Sequence, residues 1–287
     1  MTIVVTGASG FLGSALVKRL SSDNTPTVAV GGPRGHQPEL SNGVTWLPYL
    51  ANLSDLARQI AETKPSVVVH CATHYVLAHE PRDIQPIIDA NLHFGTHILE
   101  SLSATGTLFV NLSTYFQHQQ TSSGGATSLY AVSKSAFSRV VEWYGANTNI
   151  NVSDLTLFDT YGPGDRRRKL IPSLLACAWA GDTLELRSAS AVVDVCYVDD
   201  VVSAITSVIE EHLTGSWSIH SRERVTVGDI ARVIERVTGR RIVRGFQDAS
   251  PVSALPLVVP TMLAGWQPRV DLLEGITRCW KAMPAVT

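Results

Sequence analysis

Tyr130 and Lys134 stand four residues apart in a stretch whose pattern predicts a helix from about Leu129 to Tyr144. That spacing puts phenol and ammonium on one helix face. A neighbouring ammonium favours the phenolate and draws a tyrosine pKa down from about 10 toward working pH. Such a phenol can give a proton to a carbonyl oxygen as hydride reaches the carbon, or take one in the reverse direction. Upstream, the run Leu108 to Leu112 ends in Ser113-Thr114-Tyr115. A hydroxyl at the carboxyl end of a strand is placed to hydrogen-bond and orient a carbonyl, and position alone leaves both Ser113 and Thr114 open for that role.

A second chemistry is written at the N-terminus. Thr6-Gly7-Ala8-Ser9-Gly10-Phe11-Leu12-Gly13 follows the apolar run Ile3-Val4-Val5 and opens a helical pattern. Glycines let the backbone approach a pyrophosphate closely, and the helix N-terminus supplies N–H groups and the positive end of its dipole. The next strand, Val28-Ala29-Val30, is followed by Gly31-Gly32-Pro33-Arg34-Gly35, with no carboxylate before Glu39. An acidic residue there would accept from the ribose 2′-OH of NAD, whereas Arg34 can pair with a 2′-phosphate. The expected cofactor is therefore NADP(H).

The elements that must carry these groups alternate along the first half. Four β-branched or apolar runs read as strands: Ile3-Val4-Val5, Val28-Ala29-Val30, Val67-Val68-Val69 and Leu108-Phe109-Val110. They are continuous rather than alternating, as in parallel strands covered on both faces. Helices are expected over Leu12 to Leu20, Asp89 to Leu102 and the Tyr130 segment. The predicted fold is α/β, a doubly wound parallel sheet with a smaller C-terminal substrate lobe. The expected division is a dinucleotide-binding domain over 1–160, with 191–219 returning to it, and a small lobe made of 161–190 and 220–287. Helices in the second half are expected at Ile171 to Ala180, Val201 to Glu211 and Val227 to Thr238.

Composition narrows the class. Hydrophobic residues make up 45% and charged ones 17%, enough for a sizeable core and too apolar for disorder. A net charge of −2 gives no electrostatic case for nucleic acid or an anionic membrane. Cys71, Cys177, Cys196 and Cys279 form no C-x-x-C pair, which argues against zinc and suits a reducing compartment. His70, His74 and His79 have no carboxylate at ligand spacing, so no metal is expected. Met1 to Val5 leads straight into the glycine motif, and Val252 to Pro260 is broken by Pro256. Neither resembles a leader or a membrane span, so a cytoplasmic protein is expected.

The motifs taken together resemble the extended short-chain dehydrogenase/reductase family over nearly the whole chain. The matching stretches are Thr6 to Gly13, His70-Cys71-Ala72, Asn91, Ser113-Thr114, Tyr130 to Lys134, Tyr161-Gly162-Pro163-Gly164-Asp165, Tyr197-Val198-Asp199-Asp200 and Gly265-Trp266-Gln267-Pro268. The resemblance implies a Rossmann domain and a Thr114-Tyr130-Lys134 catalytic set, with Ser113 the rival of Thr114. It further implies that Cys71, Ala72, Thr73 and Asn91 line the cofactor, that Lys134 holds the nicotinamide ribose, and that Asn52-Leu53 contacts adenine. His74 and Tyr115, just past strand ends, are expected in the substrate pocket. Relatives often dimerise through the helix bearing the tyrosine and its neighbour, so a homodimer is an expectation as well.

Leu157 to Leu170, with Arg166-Arg167-Arg168-Lys169, resembles bacterial nucleoside-diphosphate-4-keto-6-deoxyhexose reductases. Guanidinium forks suit a diphosphate, and Arg166, Arg168 and Lys169 are the candidates to hold it. Two family arginines are missing, at Val193 and in Leu155-Thr156-Leu157, which keeps an apolar ketone in view as substrate. Tyr115-Phe116 replaces the acidic pair that a dehydratase needs after its threonine. An epimerase retains its NAD, whereas the NADP signal favours a reductase that exchanges cofactor at each turnover. A non-catalytic NADP sensor is disfavoured, because both Tyr130 and Lys134 are present.

Overall fold

The computed structural model describes residues 1–32, 43–76, 78–121, 124–247 and 259–284. Twelve strands and nine α-helices are found among them. The strands are β1 (Ile3–Thr6), β2 (Thr27–Val30), β3 (Val44–Leu47), β4 (Val67–His70), β5 (Leu108–Thr114), β6 (Asn151–Leu157), β7 (Asp159–Tyr161), β8 (Leu184–Leu186), β9 (Val192–Tyr197), β10 (Gly215–Ile219), β11 (Arg224–Thr226) and β12 (Val243–Phe246). The helices are α1 (Phe11–Ser22), α2 (Leu53–Glu62), α3 (Ile84–Ile88), α4 (Phe94–Leu102), α5 (Leu129–Asn147), α6 (Leu170–Ala180), α7 (Val198–Glu211), α8 (Val227–Thr238) and α9 (Leu272–Lys281). The chain forms two compact units, Met1–Leu157 with Ala204–Ser218 and Val258–Thr261, and Phe158–Ser203 with Ile219–Leu257 and Met262–Thr287. Of the segment 191–219 expected to return to the first domain, 204–218 lies in the first unit, and 191–203 and Ile219 in the second.

The first unit is built on a seven-stranded sheet in the order β3-β2-β1-β4-β5-β6-β10, parallel from β3 through β6. The order reverses direction between β1 and β4, the place where doubly wound sheets open a crevice at their carboxyl edge. β1, β2 and β4 are buried along their whole length, as their uninterrupted apolar runs require. β3 is a half-buried edge strand, Val-Thr-Trp-Leu, too short to register as a pattern. α2 is strongly amphipathic, burying Leu56, Ala57 and Ile60, and Asn52 caps it by accepting from the Ser54 and Asp55 amides.

The helix expected to begin at Asp89 begins earlier, as α3, and passes through a π turn, Asp89–His93, before continuing as α4. Composition gave no sign of that turn, because what it serves is the single side chain of Asn91. α4 and α5 meet where Gly95 stands against the Phe137 ring, so that any Cβ on Gly95 would overlap the ring. Phe137 in turn packs on Phe109 of β5, centroids 6.4 Å apart.

The second unit holds the three-stranded sheet β11-β9-β7 and the pair β12-β8, with α6, α8 and α9 packed on one another. α7 starts at Val198 rather than Val201 because Val198-Asp199-Asp200 form its first turn. Asp200, 4% exposed, accepts from the Arg269 and Val270 amides at 3.0 Å, and Trp266 Nε1 donates to Ser203 at 2.8 Å. These bonds join the start of α7 to Trp266 and to the two residues that follow Pro268.

Gly95→Ala should destabilise the fold. Helix propensity alone would favour alanine by about 1 kcal/mol, but overpacking a closed core costs about 1–3 kcal/mol. Urea unfolding of the variant is expected to show a net loss; a gain in midpoint would mean that Phe137 yields freely.

Candidate active site at the carboxyl edge of the sheet

The turn after β1 and the turn after β4 touch. Gly7 adopts φ +63°, and a Cβ on it would lie 2.8 Å from the backbone of Ala72. Thr6 Oγ1 accepts from the Ala72 amide at 3.2 Å and bonds His70 Nδ1 at 3.0 Å. Gly10 begins α1 without a side-chain cap and without an acidic residue in its first turn. The amides of Phe11, Leu12 and Gly13 therefore sit at an end of the helix suited to an anion. Ser9 Oγ accepts from the Gly32 amide at 3.2 Å, tying this turn to the end of β2. Arg34 lies outside the described residues.

Asn91 binds the next layer together. Its Oδ1 accepts from Thr73 Oγ1 (3.0 Å) and the His74 amide (2.7 Å). Its Nδ2 donates to the His74 carbonyl (3.2 Å) and to Ser133 Oγ (2.9 Å). Both lone-pair sites and both N–H groups are thereby used within the protein. Asn91, expected at the cofactor, thus fixes the loop of Cys71, Ala72, Thr73 and His74 against α5. Asn52, expected at adenine with Leu53, has its Oδ1 engaged in capping α2.

On α5, Tyr130 and Lys134 are 7% and 2% exposed. Burial lowers the Lys134 pKa to about 8 against the opposing influences of Asp154 and Cys71. The Cys71 thiol is pushed up to about 12 by burial, and the His70 imidazole down to about 3 by burial and then by Lys134. His70 is enclosed by the rings of Phe94, Phe109 and Phe137. Tyr130 meets Tyr75 edge-on at 5.0 Å and Phe116 at 6.5 Å, with Tyr115 tilted against Phe116 at 4.4 Å. Tyr115 is among the residues expected at the pocket from sequence; Tyr75, five residues past β4, is not, although its place resembles that of His74.

Ser113 and Thr114 have different partners. Ser113 bonds Thr156 Oγ1 of β6 at 3.2 Å, while Thr114 ends β5 and accepts from the Phe116 amide at 3.4 Å. β5 runs parallel to β4, which runs parallel to β1, so its end reaches the same edge as the glycine turn.

In the second unit the four consecutive cations divide by alternation. Arg167 forks onto Asp165 at 2.8 Å and donates to the Thr160 carbonyl at 2.7 Å. Lys169 pairs with Asp159 at 2.7 Å. Arg166 and Arg168 are exposed. Among the described residues there is no group of three or more His, Cys, Asp or Glu side chains arranged for a metal, and no helix long and apolar enough to cross a membrane.

The fold and this edge define a dinucleotide-type α/β protein, and comparison gives the family. Residues 3–219 match the NAD dependent epimerase/dehydratase family, and the chain belongs to it. It is similar to a CDP-abequose synthase of Yersinia pseudotuberculosis, 24% identical over 85% of this chain and 87% of that protein. It is also similar to a dTDP-4-dehydro-6-deoxyglucose reductase of Escherichia coli, 24% identical over 98% and 97% of the two chains. A dTDP-4-dehydro-6-deoxy-D-allose reductase of Streptomyces bikiniensis is 26% identical over 83% and 82%. Among solved structures, the UDP-glucuronic acid 4-epimerase of Bacillus cereus, in complex with UDP-glucuronic acid and NAD, superposes with a TM-score of 0.80 at 22% identity, covering 98% of each chain. That likeness is one of fold.

His70 should stay neutral through the physiological range. Its imidazole resonances are expected not to titrate between pH 5 and 8. A folded-state pKa far below the unfolded value of about 6.5 also means that the unfolded chain takes up this proton first, so stability falls as pH drops below about 6.5. A His70 titration near neutral pH by NMR would refute its burial.

Proposed function

We propose that the chain is an NADPH-dependent ketoreductase acting on the 4-keto group of a nucleotide-activated 6-deoxyhexose. The observation that carries this reading is the pairing of a buried Tyr130 with a buried Lys134, one helical turn apart, at the edge where the glycine turn ends β1. The names of the relatives support the substrate class, and the Gly31-Gly32-Pro33-Arg34 stretch supports the 2′-phosphate.

The residues fit a nicotinamide dinucleotide. Gly7 and Gly13 leave no room for side chains, and the uncapped start of α1 offers N–H groups to a pyrophosphate. Lys134 would hold the ribose, and Cys71, Ala72 and Thr73 would line the nicotinamide side. When bound, this cofactor supplies the hydride that reaches the carbonyl carbon. Thr114 hydrogen-bonds the carbonyl oxygen and orients it, and Tyr130 delivers the proton to that oxygen as negative charge develops there. Lys134 keeps a positive charge beside the phenol, which favours release of its proton. Tyr75, Tyr115 and Phe116 form an apolar wall suited to the C5–C6 side of a deoxyhexose, and His74 lies at the same loop.

An apolar ketone is the second reading, favoured by that aromatic wall and by the engagement of Lys169 with Asp159. Turnover of NADPH and NADH with a dTDP- or CDP-4-keto-6-deoxyhexose separates the cases. Oxidation of NADPH is expected. Tight NADPH binding without turnover would move the search to apolar ketones, and preference for NADH would bring an epimerase forward. Tyr130→Phe should lower turnover by about 10²–10⁴-fold with NADPH binding near normal; unchanged turnover would remove Tyr130 from the mechanism.

The reading includes a homodimer. Val132 and Trp143, 47% and 57% exposed, are eleven residues apart and so lie on one face of α5, with Ala136 and Val140 between them. Sedimentation should give a dimer for the native chain and a monomer for Val132→Glu/Trp143→Glu; a monomeric native chain would overturn the assignment.

A further inference from the structure

Lys134 is surrounded from several elements. Tyr130 precedes it by one turn on α5, and the end of β4 presents His70 and Cys71, whose shifted pKa values leave both neutral at working pH. β6 presents Asp154, whose carboxylate raises the affinity of Lys134 for its proton. The turn after β5 carries His118, half-buried, which feels both burial and Asp154.

Register places the carboxylate level with the ammonium. Phe109 of β5 packs against Phe137 of α5. Asn111 is on the same face of β5, roughly 6.6 Å further toward the carboxyl edge. α5 runs back along the sheet, and a rise of roughly 4.5–6 Å leads from Phe137 to the turn of Lys134. Asn111 pairs in register with Asp154, and its Nδ2 donates to Asp154 Oδ1 at 2.9 Å. Asn111 is wholly buried, and its own Oδ1 has no partner among the described residues. A wholly buried amide thus faces a part-buried carboxylate across two strands, where apolar side chains would pack at lower cost.

We propose that Asp154, oriented by Asn111, is a positioning residue whose carboxylate keeps Lys134 an ammonium beside Tyr130. The proposal rests on the reading of Tyr130 and Lys134 given above. Burial drives the lysine toward its neutral form, and Asp154 opposes that drive. Without the carboxylate, Lys134 loses its proton at lower pH, and a reaction that needs the ammonium fails earlier on the alkaline side.

The test uses Asp154→Asn, which keeps the volume and an acceptor for Asn111, together with Asp154→Glu. Protein labelled with ¹³C at lysine Cε is titrated without substrate, and the Lys134 resonance is assigned by its loss in Lys134→Arg. The native midpoint is expected at about 8, with Asp154→Asn lower by about one pH unit and Asp154→Glu restored toward native. The alkaline limb of turnover should move by the same amount, with the melting temperature unchanged. An Asp154→Asn midpoint equal to the native one would overturn the proposal. Retained turnover in Tyr130→Phe would instead strike at the reading of the site, since the lysine titration does not depend on it.

Discussion

The four hydrogen bonds of Asn91 are the constraint on which the edge of the first unit depends. A buried primary amide left partly unpaired costs about 1–3 kcal/mol for each lost partner. Asn91 avoids this by spanning two elements: the loop after β4 on one side and Ser133 of α5 on the other. To reach both, the chain between α3 and α4 widens into a π turn, a local irregularity often found where a side chain must be re-aimed. Ser133 sits between Tyr130 and Lys134, so the amide that fixes the loop also fixes the turn of helix carrying both.

With that turn fixed, the electrostatics follow from dehydration. An ammonium excluded from water loses hydration that a few distant charges restore only in part. The same exclusion holds Cys71 as a thiol and His70 as a neutral imidazole, so the neighbours of Lys134 at β4 neither compete for its charge nor repel it. The enclosure of His70 by three phenylalanine rings completes a dry floor beneath the edge. Dry surroundings strengthen whatever interaction Lys134 makes with a phenol or a hydroxyl in reach.

Much of this was legible in the sequence because parallel strands announce themselves. β1, β2, β4 and the start of β5 are runs of apolar residues with no alternation, and the groups that follow each run land at one edge. α1, α5, α6 and α8 were readable from periodicity. β3 and α2 were not, since a four-residue half-buried strand carries no period and the short Asn52-capped helix contains few large apolar residues. The π turn was invisible for a different reason: it answers to tertiary partners of Asn91 rather than to local preference. Asp154 does not stand out within Asn151–Leu157, where a lone carboxylate reads as surface; its register opposite the wholly buried Asn111 is what sets it apart.

The Arg166–Lys169 run shows that a count of charges is not a count of available charges. Four cations suggest a field for phosphate, yet Arg167 is spent on Asp165 and the Thr160 carbonyl, and Lys169 on Asp159. An ion pair presents little net field at a distance, because the two potentials nearly cancel beyond the separation of the charges. The attraction this loop exerts on an anion therefore comes chiefly from Arg166 and Arg168, which are exposed and screened by salt. Arg167 acts on shape instead of charge. By closing Asp165 and Thr160 onto itself, it sets the path of the backbone from which its two neighbours project. Under the proposed reading, affinity for a nucleotide diphosphate at this loop falls with ionic strength, while the shape of the loop does not.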